Sequence, residues 1–442
     1  MIYDLRFTIC ALVALAAGVW IAPAQTADTN ALPIDLPTAL RLAGARNLDI
    51  QIAQENLNEA QANHQSAVEQ FFPWIAPGIV YHRRDGVAQA SPSGIISDAN
   101  YQSYAPGATA AAQVNFGSAI YATLAARQLV KASDQALETR RQDAALDAAQ
   151  GYFDLVKVKA LVGVIGEAVQ ISQDYQNQLH EAVAAGIVFK GDELRVQTQT
   201  EHHKITLQQA LAQQRAASVN LARVLHLDST VELVPLDNGL TPLTLFPTNA
   251  AMSALVARAL NERPELKQSQ ATVAATRAGK NGAVYGPLIP SLNAQVFAGG
   301  LGGGPDGRPD TFDGMADFVV GLSWQIGPGG LFDPGRVKAS RARLAATQLT
   351  QAKIKDTITS QVVDALVAVN STTAQIQLAE QNLNTASETL QLTQQRKQFG
   401  VGIVLEDIEA QQALTQARSD YVTALAESNK AQYALRRAIG GL

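Results

Sequence analysis

Apolar and small residues recur in alternating steps of three and four along several stretches of the 442-residue chain. Within residues 36–69 they fall at Ile50, Ala53, Leu57, Ala60, His64 and Ala67, with His64 the one polar member. Near the end they fall at Leu414, Ala417, Tyr421, Ala424, Ser428, Ala431, Leu435 and Ala438. Such spacing is the seam of a coiled coil. Residues 118–183 and 335–398 each hold about 65 positions without an interior proline, so at about 1.5 Å per residue each predicts a helix on the order of 95 Å long. A helix of that length cannot bury itself in a globule and belongs to an extended assembly.

Four shorter stretches switch to a two-residue period. Phe318, Val320, Leu322, Trp324 and Ile326 alternate with Val319, Gly321, Ser323 and Gln325. Leu292, Ala294, Val296 and Ala298 alternate with Asn293, Gln295 and Phe297, and Ala108, Ala110, Ala112, Val114 and Phe116 with Thr109, Ala111, Gln113 and Asn115. Residues 72–82 alternate less cleanly and contain Pro77. About nine residues with one apolar face suit either a half-buried strand of a soluble sheet or a transmembrane β-strand. The glycine-, proline- and serine-rich residues 83–106 and 299–314 read as connecting loops, Gly299 to Gly304 included. Four strands cannot close a barrel, and lipid tolerates no open edge. A membrane reading therefore demands copies, and three would give twelve strands and a lumen.

The chain is an internal duplication. Leu40-Arg41-Leu42-Ala43 matches Val256-Ala257-Arg258-Ala259 at an offset of 216. Leu194-Arg195-Val196-Gln197 matches Ile408-Glu409-Ala410-Gln411 at an offset of 214. Each copy predicts the order helix, strand, loop, strand, very long helix, tip, helix. Residues 25–225 form the first repeat and 251–442 the second. Residues 226–250, with Pro235, Pro242 and Pro247, read as the linker between them.

Composition narrows the function. A hydrophobic share of 47% excludes disorder, and Lys+Arg 34 against Asp+Glu 39 leaves no basic footprint for nucleic acid. The one cysteine, Cys10, lies in a segment that reads as a secretory signal: Arg6, then apolar residues 7–21, then Ala22-Pro23-Ala24 as the cleavage site, giving a signal over residues 1–24. About fifteen apolar residues is short for a membrane anchor. The exported chain then has neither disulfides nor thiolate chemistry. His202 and His203 are adjacent and point to different helix faces, so they make no chelating pair. No catalytic motif or convincing carboxylate pair is present, and neither enzyme activity, cofactor nor metal site is expected.

The opening residues 36–50, the Phe72-Pro73 junction, Leu331-Phe332-Asp333-Pro334-Gly335-Arg336 and the run Gly402-Ile403-Val404 with Asp407-Ile408-Glu409-Ala410-Gln411 resemble the TolC-type outer membrane efflux protein family. The resemblance covers essentially all of the mature chain. It implies a homotrimer in the outer membrane of a Gram-negative bacterium, with a twelve-stranded β-barrel above a long periplasmic α-helical coiled-coil barrel. It further implies a passive exit duct that works with a periplasmic adaptor and an inner membrane pump. The alternative from another class is a non-channel periplasmic coiled-coil structural protein.

The resemblance also places site residues. The tips of the two helical hairpins, Gly186, Ile187 and Val188 with Gly400, Gly402, Ile403 and Val404, correspond to adaptor-docking turns, and the apolar members are expected to be exposed. Glu406 and Glu409 correspond to acids that ring the pore constriction. Asp192 corresponds to an acid that latches the closed tip. Its usual tyrosine and arginine partners fall on Lys397 and Gly402 here, so Lys397 is the candidate for a substitute salt bridge.

Overall fold

The computed structural model describes residues 31–89, 92–228, 230–237, 239–247, 250–305, 311–399 and 403–442. The predicted signal and Cys10 lie outside these residues, as do Gly400 and Gly402.

The first repeat begins with β1 (Ala31–Ile34), α1 (Leu36–Arg46) and α2 (Leu48–Glu69), then β2 (Trp74–Arg84), a small hairpin of β3 (Val87–Gln89) and β4 (Ile96–Asp98), and β5 (Tyr101–Asn115). The 69-residue α3 (Phe116–Ala184) and α4 (Lys190–Val224) complete it. After β6 (Glu232–Pro235) come α5 (Met252–Glu262), α6 (Pro264–Tyr285), β7 (Ser291–Pro305), β8 (Thr311–Ser323), the 65-residue α7 (Pro334–Gln398) and α8 (Val404–Ala438). No helix among the described residues is long and apolar enough to cross a membrane.

The opening helix of each repeat is two helices, where one was expected. Asn47 caps α2 through its side-chain oxygen, which accepts from Asp49 N at 2.8 Å and Ile50 N at 3.3 Å. In the second repeat Pro264 at the first position of α6 makes the same break. The seams run as spaced: Ile50, Ala53 and Leu57 are buried against Leu137 and Ala144 of α3, Ala67 is buried nearer the sheet beside Thr123, and no seam residue of α8 is exposed. α4 and α8 each end in a residue of positive φ, His226 at 51° and Gly440 at 83°, which close matching turns 214 positions apart.

β2, β5, β7 and β8 form one antiparallel sheet in that order. Residues opposite one another across a ladder share a face. Phe318, Val296, Ala110 and Ile75 therefore make one row, and Leu322, Leu292 and Val114 another. The opposite face holds Asp317, Phe297 and Thr109, and Gly321, Asn293 and Gln113. The strands are longer than predicted. β7 runs through Gly299 to Gly304, which are not a loop: the aromatic rings of Tyr104 and Phe312, stacked at 5.9 Å, lie against Gly302 and Gly300. A glycine run reads as a loop by composition, yet here it is the floor under two rings. β8 stops at Ser323, leaving Trp324 and Ile326 outside the strand.

The linker is strapped down. β6 pairs with β1, and Leu233 and Ile34 are buried with Tyr152, Leu155 and Leu221 in a core midway along the helices. Leu243 N and Phe246 N donate to the side chains of Asn429 and Gln432 at 2.8 and 2.9 Å. Near the sheet, Gly117 of α3 meets Gly286 backbone to backbone, and a Cβ at Gly117 would collide with the Gly286 carbonyl.

Candidate functional site

The two hairpin tips converge at the end of the molecule far from the sheet. The α3–α4 turn is a Schellman turn: Ile187 N donates to Ala182 O at 2.9 Å and Gly186 N to Val183 O at 3.0 Å. Gly186 has φ 73°, the left-handed conformation for which glycine is suited. Ile187 and Phe189 stand 77% and 85% exposed at this turn, and Phe399 and Ile403 stand 83% and 58% exposed at the other. Val188 and Val404 differ from expectation. Both pack on Tyr175, Leu179, Val196 and Ile408, a small apolar core that ties the hairpins together, so they are half-buried rather than exposed.

The expected salt bridge between Lys397 and Asp192 is not formed. Lys397 Nζ lies 3.4 Å from Asp407 Oδ2 and 3.8 Å from the centre of the Tyr175 ring, a cation–π contact. It does not pair with Asp192, whose carboxylate instead receives Arg195 at 3.3 Å from its own helix. Asp407 is 3% exposed and Tyr175 5%. Burial pushes the Tyr175 phenol well above its ordinary range, and the Asp407 charge adds to the push. Neither the phenol oxygen nor Asp407 Oδ1 has a hydrogen-bond partner among the described residues.

Each repeat buries one carboxylate here, and the two correspond at the repeat offset of 214. Glu193, 5% exposed, receives Lys190 at 2.6 Å and His180 at 3.0 Å, and the hydrogen bonds from Lys190 first and His180 second hold its carboxyl below the ordinary range. Asp407 is its counterpart. Sequence reading overlooked both, although the alignment that paired Leu194 with Ile408 sets them side by side. Glu406 is half-buried and pairs with Arg396 at 3.2 Å, whereas Glu409 is exposed. Both helix starts lack a side-chain cap, and Asp192 and Glu406 occupy their first turns, where an acid favours the helix dipole. No group of three or more histidine, cysteine or acidic residues among the described residues is placed to hold a metal ion.

A sheet with one apolar face and two open edges, joined to helices about 100 Å long, defines a membrane-anchored tunnel protein. The family profile described as "Outer membrane efflux protein" matches residues 39–225 and 255–441, one copy per repeat. The chain belongs to this family of outer membrane efflux channels, and its place is the outer membrane, with a long periplasmic tunnel. The membership supports the channel reading and not that of a periplasmic structural protein. Among solved structures, the outer membrane protein VceC of Vibrio cholerae is similar at 17% identity and a TM-score of 0.77, over 92% of this chain and 96% of that one. The CmeC outer membrane channel of Campylobacter jejuni is similar at 17% and 0.76, over 92% and 85%. The open state of the Neisseria gonorrhoeae MtrE channel is similar at 17% and 0.72, over 92% and 89%. No curated protein sequence matches.

Proposed function

We propose that three copies close into a twelve-stranded barrel and a helical tunnel, which passively conducts substrates delivered by an inner membrane pump through a periplasmic adaptor. The observation that carries this reading is the sheet: apolar rows run across all its strands while β2 and β8 keep unpaired edges. In lipid those edges require the next copy. Ile187, Phe189, Phe399 and Ile403, with Gly186 shaping the first turn, are the surface for the adaptor, since exposed apolar side chains at a tip suit a partner. The clasp of Lys397, Asp407 and Tyr175 holds the two hairpins together at the periplasmic mouth.

Glu409, with Glu406 partly offset by Arg396, supplies the negative collar of the constriction. Like charges on one helix face, repeated by symmetry, repel and favour cations. Planar-bilayer recording tests this. The reconstituted channel should prefer cations and be blocked by multivalent cations from the periplasmic side, and Glu406→Gln with Glu409→Gln should weaken both properties. Unaltered selectivity and block in that variant would eliminate the collar.

A further inference from the structure

Two helix faces remain uncovered in the protomer, and their charges are opposite. α2 carries Asp49, Glu55, Glu59 and Glu69 and no lysine or arginine. α7 carries Arg336, Lys338, Arg341, Arg343, Lys353 and Lys355 before its first acid, Asp356. None of these side chains is in an ion pair among the described residues. The two helices flank the open edges of the sheet, α2 leading into β2 and α7 following β8.

The duplication indicates what each face meets. α6 is the second copy of α2, and α7 is the second copy of α3. Within the protomer α6 packs along α3, and a Cβ at Gly282 would lie 2.8 Å from Tyr121 Cβ. The stripe through that contact, Gln268, Ala271, Ala275, Ala278 and Gly282, is buried or half-buried. Its counterparts on α2, an offset of 216 earlier, are Ile52, Glu55, Glu59, Ala62 and Ser66, and all are exposed. The α3-to-α7 offset of 214 holds inside the helices: buried Ala144, Ala148, Tyr152 and Leu155 correspond to buried Ile358, Val362, Leu366 and Val369.

We infer that the α2 stripe of one copy packs antiparallel on the exposed face of α7 in the next, in the register that α6 keeps with α3. Carried across by the two offsets, the Gly282–Tyr121 contact sets Ser66 beside Gly335. Further along both helices Glu59 meets Ala342, beside Arg341. Further still Ile52, 59% exposed, meets Leu349, 72% exposed. Asp49 then falls beside Ala352 and Lys353. Apolar contact and opposite charge thus agree at one register, and a slip of about one turn would set Ile52 against Ala345 or Lys353. Each copy offers one acidic and one basic edge, so copies add only head to tail until the ring closes. Like edges repel, which suppresses wrong pairings. This inference rests on the ring of copies proposed above.

Disulfide capture tests the register. In a Cys10→Ser background, Ile52→Cys with Leu349→Cys should give covalent dimers and trimers when intact membranes are oxidised and run without reductant. Ile52→Cys with Ala342→Cys, two turns away, should not. In a second test, Glu59→Lys or Arg341→Glu alone should cut the recovered trimer several-fold, and the two together in one chain should restore it. Native trimers that never form the 52–349 link, equal linking at 52–342, or failure of the charge exchange to restore trimer would overturn the inference while leaving the ring intact. Protein recovered solely as monomer in the unsubstituted chain would overturn the ring itself.

Discussion

Arg437 shows how a single side chain holds the repeats together. Near the C-terminal end of α8 it is 5% exposed, and its guanidinium meets Glu265 Oε1 at 2.6 Å and Asp143 Oδ1 at 2.7 Å. Glu265 also receives Arg263 at 2.7 Å. Burial alone would raise the Glu265 carboxyl, but the hydrogen bonds from Arg263 and Arg437 outweigh it and hold the carboxyl below its ordinary value. A lowered carboxyl in the folded state contributes stability above the unfolded value of about 4.3, and that contribution is lost as pH falls through the folded value. The thermal midpoint should therefore drop as pH falls below about 4, and Glu265→Gln should show a smaller drop over the same range. Circular dichroism melts at a series of pH values check it.

At the scale of elements, the seams were legible because a heptad repeats the same choice many times. α3 and α7 ended within two residues of the predicted bounds for that reason. Single-residue signals were not repeated and were missed: Asn47 breaks a helix by one capping oxygen, and the glycines of β7 are strand residues because rings from neighbouring strands lie on them. The tip was half legible. Gly186 and the exposed Ile187 and Ile403 could be read from turn chemistry, whereas the half-burial of Val188 and Val404 and the burial of Asp407 depend on how two hairpins meet, which spacing within one hairpin does not contain. Gly186→Val should strain the α3–α4 turn by roughly 1–2 kcal/mol, the cost of a left-handed conformation for a residue with a Cβ. Export should fall while membrane insertion and helix content stay normal, as fractionation and a transport assay would register. Preserved export would remove this turn from the adaptor contact.

For the whole molecule, what joins copies is written in surfaces that the protomer leaves bare. The open edges of β2 and β8 need hydrogen-bond partners, and the faces of α2 and α7 bring opposite charge to the same join. Exposed charges act over a Debye length of about 10 Å at 0.1 M salt and about 3 Å at 1 M. Assembly of detergent-solubilised monomers into trimers should therefore slow at 1 M salt, followed by sedimentation or cross-linking over time. A rate indifferent to salt would mean that the strand edges alone govern the join.

The two repeats differ in how their long helices are rooted. β5 passes into α3 with no residue between them, whereas residues 324–333 separate β8 from α7. One helix is thus continuous with the sheet, and the other is reached through a ten-residue connection held by its own hydrogen bonds, Leu331 N to Gln325 O and Gly329 N to Asp333 Oδ2 among them. At about 98 Å of length, α7 is a lever: each degree of rotation at its root carries its far end about 1.7 Å. A few degrees of rotation beside the membrane would become a displacement wider than a water molecule at the mouth, where the clasp of Lys397, Asp407 and Tyr175 ties the two hairpins to one another.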